Sequence, residues 1–249
     1  MKYLRVPLVL VWKLWFIIVA IFCTLSVGTI IYILSYQKNN RLTYFFMRLW
    51  AYILFYGSGF TYSLQYSEKL DPKENYILIS NHTSAMDVAL MYILHPNHPI
   101  VFVGKKELEK YPIFGRIYKK VSIIVDRSDK KSREAVFPLV KKTLKEDKNV
   151  VLFPEGGVPN RNIILGKFKD GPFVTATYCN KPIVVYVFHN LKNMFPFVNI
   201  LGYPGKVRTE RLAILHPKDF DNKDLLKQKA YEIIYNKIKS DPINHPQIK

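Results

Sequence analysis

Cysteine is nearly absent: the 249 residues include two, Cys23 and Cys179. Two thiols cannot build a disulfide framework, and no CxxC pair or Cys/His cluster suggests zinc. A small secreted disulfide scaffold is excluded. Acidic residues are also scarce, 19 Asp+Glu against 37 Lys+Arg, which leaves a net charge of +18. That balance suits nucleic acid, an anionic lipid surface or an acidic soluble partner. The chain contains no internal repeat, no low-complexity linker, no GxGxxG and no GxSxG nucleophile elbow. At 49% hydrophobic and 22% charged residues it is neither disordered nor collagen-like, and it is long enough for a sizeable core.

What is abundant is apolar and aromatic, with 17 Tyr and 16 Phe, and the apolar residues gather at the N-terminus. Between Lys13 and Lys38 run 24 uncharged residues, Leu14 to Gln37. As a helix they would rise about 36 Å, enough for a hydrocarbon core of roughly 30 Å. Trp12, Trp15, Tyr32 and Tyr36 lie near the two ends, where aromatic rings favour the headgroup layer. A cleavable signal peptide would have an apolar core of about 7–15 residues and a small-residue cleavage site, and neither is present. The pattern predicts an uncleaved membrane helix over 14–37, spanning or re-entrant. A second uncharged stretch, Leu49 to Ser67, carries Gly57, Ser58, Gly59, Thr61 and Gln65. It reads as an interfacial helix over 49–67 that ends in a strand-like run. Residues 1–67 are thus expected to anchor, and residues 68–249 to form the soluble domain.

The soluble part reads as an α/β domain. Short apolar runs predict buried strands at Tyr76–Ser80, Ile100–Val103, Val121–Val125, Val150–Phe153, Ile183–Phe188 and Arg211–Leu215. Segments of helical period lie between them, notably Ser84–Leu94, Ser132–Lys145 and Asp224–Lys239. Such alternation predicts a mixed, largely parallel sheet flanked by helices.

Three constellations fall where these strands end. In Asn81-His82-Thr83-Ser84-Ala85-Met86-Asp87, His82 follows a strand and Asp87 falls in the first turn of a helix. The carboxylate can fold back on the imidazole as the orienting partner of a general base. Equally, Ser84-x-x-Asp87 can be a helix-capping box beside a surface histidine. In Val150-Val151-Leu152-Phe153-Pro154-Glu155-Gly156-Gly157, glycines would let backbone amides approach an anion, while Glu155 binds a hydroxyl or organises the loop. A plain turn with a solvated glutamate fits the same residues. Arg127, just past Val121–Val125, has the planar fork that suits phosphate, or it forms a surface pair with Asp126. Cys179 reads as packing near a helix end. His95 and His98 lack a third ligand, so no metal is expected.

Taken together, these blocks resemble the glycerolipid acyltransferase family, the bacterial 1-acylglycerol-3-phosphate acyltransferases in particular. His82 and Asp87 match its H-x4-D dyad. Lys106-Glu107-Leu108 with Pro112, Gly115 and Asp126-Arg127 match its phosphate-binding block, and Phe153-Pro154-Glu155-Gly156 its FPEG block. Lys181-Pro182-Ile183-Val184 matches its last block, and Phe168 to Phe173 looks like its F-K-x-G-x-F, so the likeness covers about 68–215.

The resemblance implies the glycerolipid acyltransferase fold. It implies that His82 deprotonates an acceptor hydroxyl, oriented by Asp87, for attack on an acyl thioester of CoA or acyl carrier protein. No cofactor and no covalent enzyme intermediate are implied. Arg127, Glu155 and Gly156 would hold the glycerol-phosphate part, helped by Lys105, Lys106 and Arg161. Because thioester donors are cytosolic, the catalytic domain would face the cytoplasm on the inner membrane.

One departure bears on the acceptor. The family continues FPEG with T-R-S, whereas this chain has Gly157-Val158-Pro159 and its arginine only at Arg161. Glycerol-3-phosphate or an amino-acid lysolipid are the alternative acceptors. A non-catalytic lipid binder would not need His82, Asp87, Arg127 and Glu155 together. No recognition motif supports nucleic acid.

Overall fold

The computed structural model of the protein describes residues 2–36, 40–160, 162–197 and 200–241. The chain begins with three helices, α1 (Lys2–Leu25), α2 (Val27–Leu34) and α3 (Asn40–Gly57). Strand β1 (Phe60–Tyr66) follows. An alternating series then runs β2 (Ile77–Ser80), α4 (Met86–Leu94), β3 (Ile100–Lys105), α5 (Pro112–Val121), β4 (Ile123–Val125), α6 (Lys130–Lys145) and β5 (Asn149–Val151). It closes with α7 (Gly171–Cys179), β6 (Ile183–Phe188), α8 (Leu191–Met194), β7 (Gly205–Leu215) and α9 (Lys223–Lys239).

The strands form one seven-stranded sheet in the order β1-β7-β6-β2-β5-β3-β4. Strands β6, β2, β5, β3 and β4 are mutually parallel, while β7 runs antiparallel to β6 and carries β1 parallel to itself. The sheet is the mixed, largely parallel one that the pattern predicts. Its central strands are buried on both faces, so they read as unbroken Val/Ile/Leu runs. Alternate residues serve opposite faces: Leu78, Val184, Tyr186 and Phe188 join the core under α1 to α5. Ile77, Ile79, Ile183, Val185 and Val187 join the core under α6, α7 and α9. On that second face, α6 contributes Val136, Val140 and Leu144, and α9 contributes Leu226, Ala230, Ile234 and Ile238, each set at a spacing of four that makes one helix face. Both helices start at side-chain caps, Asp129 for α6 and Asn222 for α9.

Several elements differ from the sequence expectation in instructive ways. In place of one helix over 14–37 there are two, which run from Lys2 to Leu34 and join at Ser26, whose hydroxyl back-bonds to Phe22 O at 2.6 Å; residue 37 lies outside the described residues. The run 60–66, grouped above with the anchor, is the sheet's edge strand β1, held in register from Phe60↔Gly205 to Tyr66↔Arg211. Strand β7 begins at Gly205, six residues before the run that hydrophobicity marks, because its half-covered face tolerates Lys206, Arg208 and Glu210. Helix α5 occupies a segment where no helix was expected, and α7 is the helix whose end was expected near Cys179. Both open on a proline at the first or second position, where a missing N–H is harmless.

The N-terminal helices pack along the domain rather than away from it. Midway along α1, the Trp12 indole N–H donates to Ser58 O at 2.9 Å and the ring meets Phe60 and Phe195 edge-on. Lys13 Nζ donates to Pro196 O at 2.7 Å. At the far end, a Cβ on Gly28 would lie 2.8 Å from Ile117 of α5, and Lys120 Nζ sits 4.0 Å over the Tyr36 ring. The outward face stays bare: Leu8 is 71% exposed, Val11 66%, Phe22 63% and Ile33 58%.

Candidate active site

Parallel strands bring their carboxyl ends to one edge, where open α/β sheets place ligands. Here β2 delivers His82, β5 delivers Phe153 to Gly157, β3 delivers Lys105 and β4 delivers Arg127, side by side in the order of the sheet. Asn81 prepares the first of these. Its side chain exchanges two hydrogen bonds with the backbone of Phe188, at 2.9 and 2.8 Å, so the pairing of β2 with β6 continues one residue past Ser80. The chain then turns, and His82 stands at the rim.

His82 Nδ1 lies 2.8 Å from Asp87 Oδ2. Asp87 is fully buried in the first turn of α4, and its carboxylate accepts the amides of Thr83 (2.6 Å) and Ser84 (3.0 Å) and the Thr83 hydroxyl (3.1 Å). The capping-box reading of Ser84-x-x-Asp87 holds only by half: Asp87 accepts the Ser84 amide, but the Ser84 hydroxyl takes the Met86 amide and donates to Phe195 O, and the same carboxylate holds the imidazole. A carboxylate with this many donors is fixed in place, and its contact with Nδ1 sets the Nδ1–H tautomer and leaves Nε2 for another group. The His82 side chain is 19% exposed, enough to be reached from the edge. One of its faces lies flat on Phe153, with centroids 4.0 Å apart and planes at 9°.

Glu155 points into the protein. Its Oε1 accepts the backbone N–H of His82 and its Oε2 that of Gly166, both at 2.6 Å. The carboxylate thereby ties the loop after β5 to the residue that carries the imidazole. Burial pushes Glu155 up to about 7, against the opposing pull of those two amides and of His82. A side chain at Gly166 would collide with Oε2, as its Cβ would lie 2.7 Å away. Gly156 adopts φ +75°, which favours glycine, and turns the loop toward the cations.

Those cations converge on the two glycines. Arg127 Nη1 lies 3.5 Å from the position of a Cβ on Gly156, and Lys105 Nζ 3.1 Å from that on Gly157. Nη1 is buried and has no hydrogen-bond partner among the described residues. Burial lowers the Arg127 guanidinium from its usual value, yet it stays charged. A buried cationic donor with an unmade bond is costly, and an anion at the glycines would complete it. Lys106 is placed otherwise: it pairs with Asp126 at 3.3 Å on the surface. Asp126 is held down to about 2, chiefly by the Ser128 hydroxyl and amide and then by Lys106. Arg161 lies outside the described residues.

The edge thus holds a base with its orienting carboxylate, and beside it a cationic cradle. Among the described residues no group of three or more His, Cys, Asp or Glu could hold a metal. Both ring nitrogens of His95 are engaged in the core, by Met91 O and the Tyr186 hydroxyl. Cys179 closes α7, half-buried, far along the chain from these strand ends. Sequence reasoning placed Asn81 and Thr83 at the edge without giving either a role, and did not find Gly166. Asn81 could have been suspected as a polar residue in a run that is otherwise buried, whereas Gly166 carried no signal.

A family model described as Acyltransferase matches residues 62–189. The chain is 25% identical over 170 residues to the 1-acyl-sn-glycerol-3-phosphate acyltransferase of Helicobacter pylori, covering 68% of this chain and 69% of that one. It is 31% identical over 98 residues to the lyso-ornithine lipid O-acyltransferase of Rhizobium meliloti, covering 39% of this chain and 32% of that one. The crystal structure of the 1-acyl-sn-glycerophosphate acyltransferase PlsC from Thermotoga maritima shares the fold at a TM-score of 0.74 and 19% identity, covering 96% of this chain and 97% of that one.

Proposed function

The chain belongs to the acyltransferase family, and from that premise we propose that it moves a fatty acyl group from a thioester to the sn-2 hydroxyl of 1-acylglycerol-3-phosphate, making phosphatidic acid. The observation that carries this reading is the pairing of His82 Nδ1 with a fully buried Asp87 at 2.8 Å, beside a cradle for an anion. His82 Nε2 takes the hydroxyl proton as the oxygen attacks the thioester carbonyl. Asp87 stabilises the imidazolium that forms. The tetrahedral intermediate then collapses, the C–S bond breaks, and the leaving thiolate takes the proton back from His82. The acyl group passes directly between substrates, so no enzyme nucleophile is needed.

The phosphate of the acceptor suits Arg127 and Lys105 at Gly156-Gly157. A phosphomonoester offers the charge and the several oxygens that a buried guanidinium with an open donor lacks. Glu155 serves that loop as a staple to His82, with each of its oxygens accepting a backbone amide. On this reading Val158, where the family has arginine, leaves Arg127 and Lys105 as the principal cations.

Acyl chains explain the bare helix face. Residues Val6–Leu34 form a 29-residue apolar helical stretch whose most apolar window has a mean hydropathy of 2.6, and it meets the same domain both at Trp12 and, farther along, at Gly28. Those contacts support a helix lying in one leaflet, with the site at the bilayer surface, in place of one crossing the membrane. The domain would face the cytoplasm, where acyl thioesters are. Residues 105–148 hold 14 Lys+Arg and 7 Asp+Glu, a net +7 that suits anionic headgroups or an acidic acyl carrier.

The test is acyl transfer by the purified protein in mixed micelles, with palmitoyl-CoA or acyl carrier protein thioester as donor and three acceptors: lysophosphatidic acid, glycerol-3-phosphate and a lyso-ornithine lipid. Phosphatidic acid should form, and His82→Ala should lower the rate roughly 10²–10⁴-fold at unchanged membrane association. A preference for either other acceptor overturns the acceptor assignment. Full activity of His82→Ala overturns the mechanism.

A further inference from the structure

The Asp87 carboxylate meets the imidazole at its edge, in the plane of the ring. The face of the ring is held by something else. Phe153 lies against it at a centroid distance of 4.0 Å and an interplanar angle of 9°. Behind Phe153 stands Phe102, 6.1 Å away and tilted by 27°, and behind that Tyr92 at 5.2 Å. Phe102 and Tyr92 are buried in the core between the sheet and α3. A column of rings therefore reaches from the interior to the base, and Phe153 is its last member before the imidazole.

Such a stack is positioned to do more than fill space. When His82 takes a proton its ring becomes a cation, and the negative π-face of a phenyl ring attracts a cation laid against it. Burial strengthens that attraction, and His82 is only 19% exposed at its side chain. The carboxylate and the π-face approach from perpendicular directions, so one does not substitute for the other. The stack also closes one face of the imidazole, which restricts rotation about the bond to the ring and keeps Nε2 turned to the open edge.

We propose that Phe153 is a positioning residue that acts through His82: its ring face orients the imidazole and stabilises the imidazolium formed in the transition state. This inference rests on the reading of His82 as the general base. It concerns one residue of the loop after β5 and assigns it a part separate from the Gly156-Gly157 cradle, since its ring faces are taken by His82 and Phe102.

The deciding experiment grades the electronics of the ring without changing its shape. Phenylalanine 153 is replaced by 4-fluoro-, 3,5-difluoro- and 3,4,5-trifluorophenylalanine in the full-length protein. The single-turnover rate constant for acyl transfer from palmitoyl-CoA is measured at saturating lysophosphatidic acid, together with the acceptor KM. Each added fluorine weakens the π-face. The rate constant should fall stepwise, by about 3–30-fold across the series, while the acceptor KM stays within about twofold. Phe153→Leu should match the most fluorinated ring, and Phe153→Tyr should retain the native rate. A flat series overturns the proposal and leaves Phe153 a packing residue, as does a change confined to KM. His82→Ala is run in parallel: if it is inactive and the series is flat, only the role of Phe153 fails. If His82→Ala is as fast as the native protein, the general-base reading fails first.

Discussion

The two halves of the site are built in opposite ways. Around His82 and Asp87 every polar group of the carboxylate is engaged: three donors and the imidazole surround one buried side chain. Around Gly156 and Gly157 the opposite holds, since Arg127 brings a buried nitrogen with no hydrogen-bond partner among the described residues. A group that must act in the transition state gains from being fixed before substrate arrives. A group that must recognise an anion gains from being left unsatisfied, because the ligand then supplies the missing bond. The difference predicts that losses on the first side appear in kcat and losses on the second in binding.

The largest break should come from Asp87→Asn, which keeps the size and can still accept from the loop amides but no longer stabilises the imidazolium. A fall in kcat of roughly 10²–10⁴ is expected at nearly constant acceptor KM, by steady-state assay. On the cradle side, Arg127→Ala removes a charge-assisted contact. It should lower kcat/KM for lysophosphatidic acid about 10–150-fold through KM, and much less for an acceptor without phosphate.

A third variant addresses the staple that joins the halves. Glu155 has a folded value of about 7 against an ordinary 4.5. A carboxyl raised in this way stays protonated in the folded chain while the unfolded chain has already ionised. Between about 4.5 and 7 the folded state binds more protons, so this group lowers stability as pH rises, by on the order of 2 kcal/mol after allowance for its partial exposure. Thermal unfolding at pH 5 and pH 8 should show that decline in the native protein, and Glu155→Gln should flatten it. The smallest effect belongs to Lys106→Ala. Its pair with Asp126 lies on the surface and its side chain is 61% exposed, so stability should move by under about 1 kcal/mol and activity by under about twofold.

Much of this comparison was legible in the sequence, and unevenly. The central strands β2 and β6 announced themselves because burial on both faces leaves an unbroken apolar run. Strand β7 did so only in its second half, since Lys206, Arg208 and Glu210 interrupt its first half on a half-covered face. The dyad was visible as a spacing, for a histidine after a strand and an aspartate in the first helical turn have one short way to meet. The cradle was visible in part. Arg127 and Gly156 stood at strand ends, but that Lys105 reaches the glycines while its neighbour Lys106 turns to Asp126 follows from side-chain direction, which alternates along a strand and is lost at its end. The role of Glu155 was open to two readings, hydroxyl binder or loop organiser. Its two backbone partners, 73 and 11 residues away in sequence, carry no pattern that a linear reading can detect.

The measurement that tests the division of labour most directly is a side-by-side determination of kcat and acceptor KM for Asp87→Asn and Arg127→Ala on lysophosphatidic acid. The two-sided site predicts that Asp87→Asn loses kcat and keeps KM, while Arg127→Ala raises KM and keeps most of kcat. If both variants lose kcat alone, or both raise KM alone, the edge is not divided into a fixed base and a waiting cradle, and this account of the site is wrong.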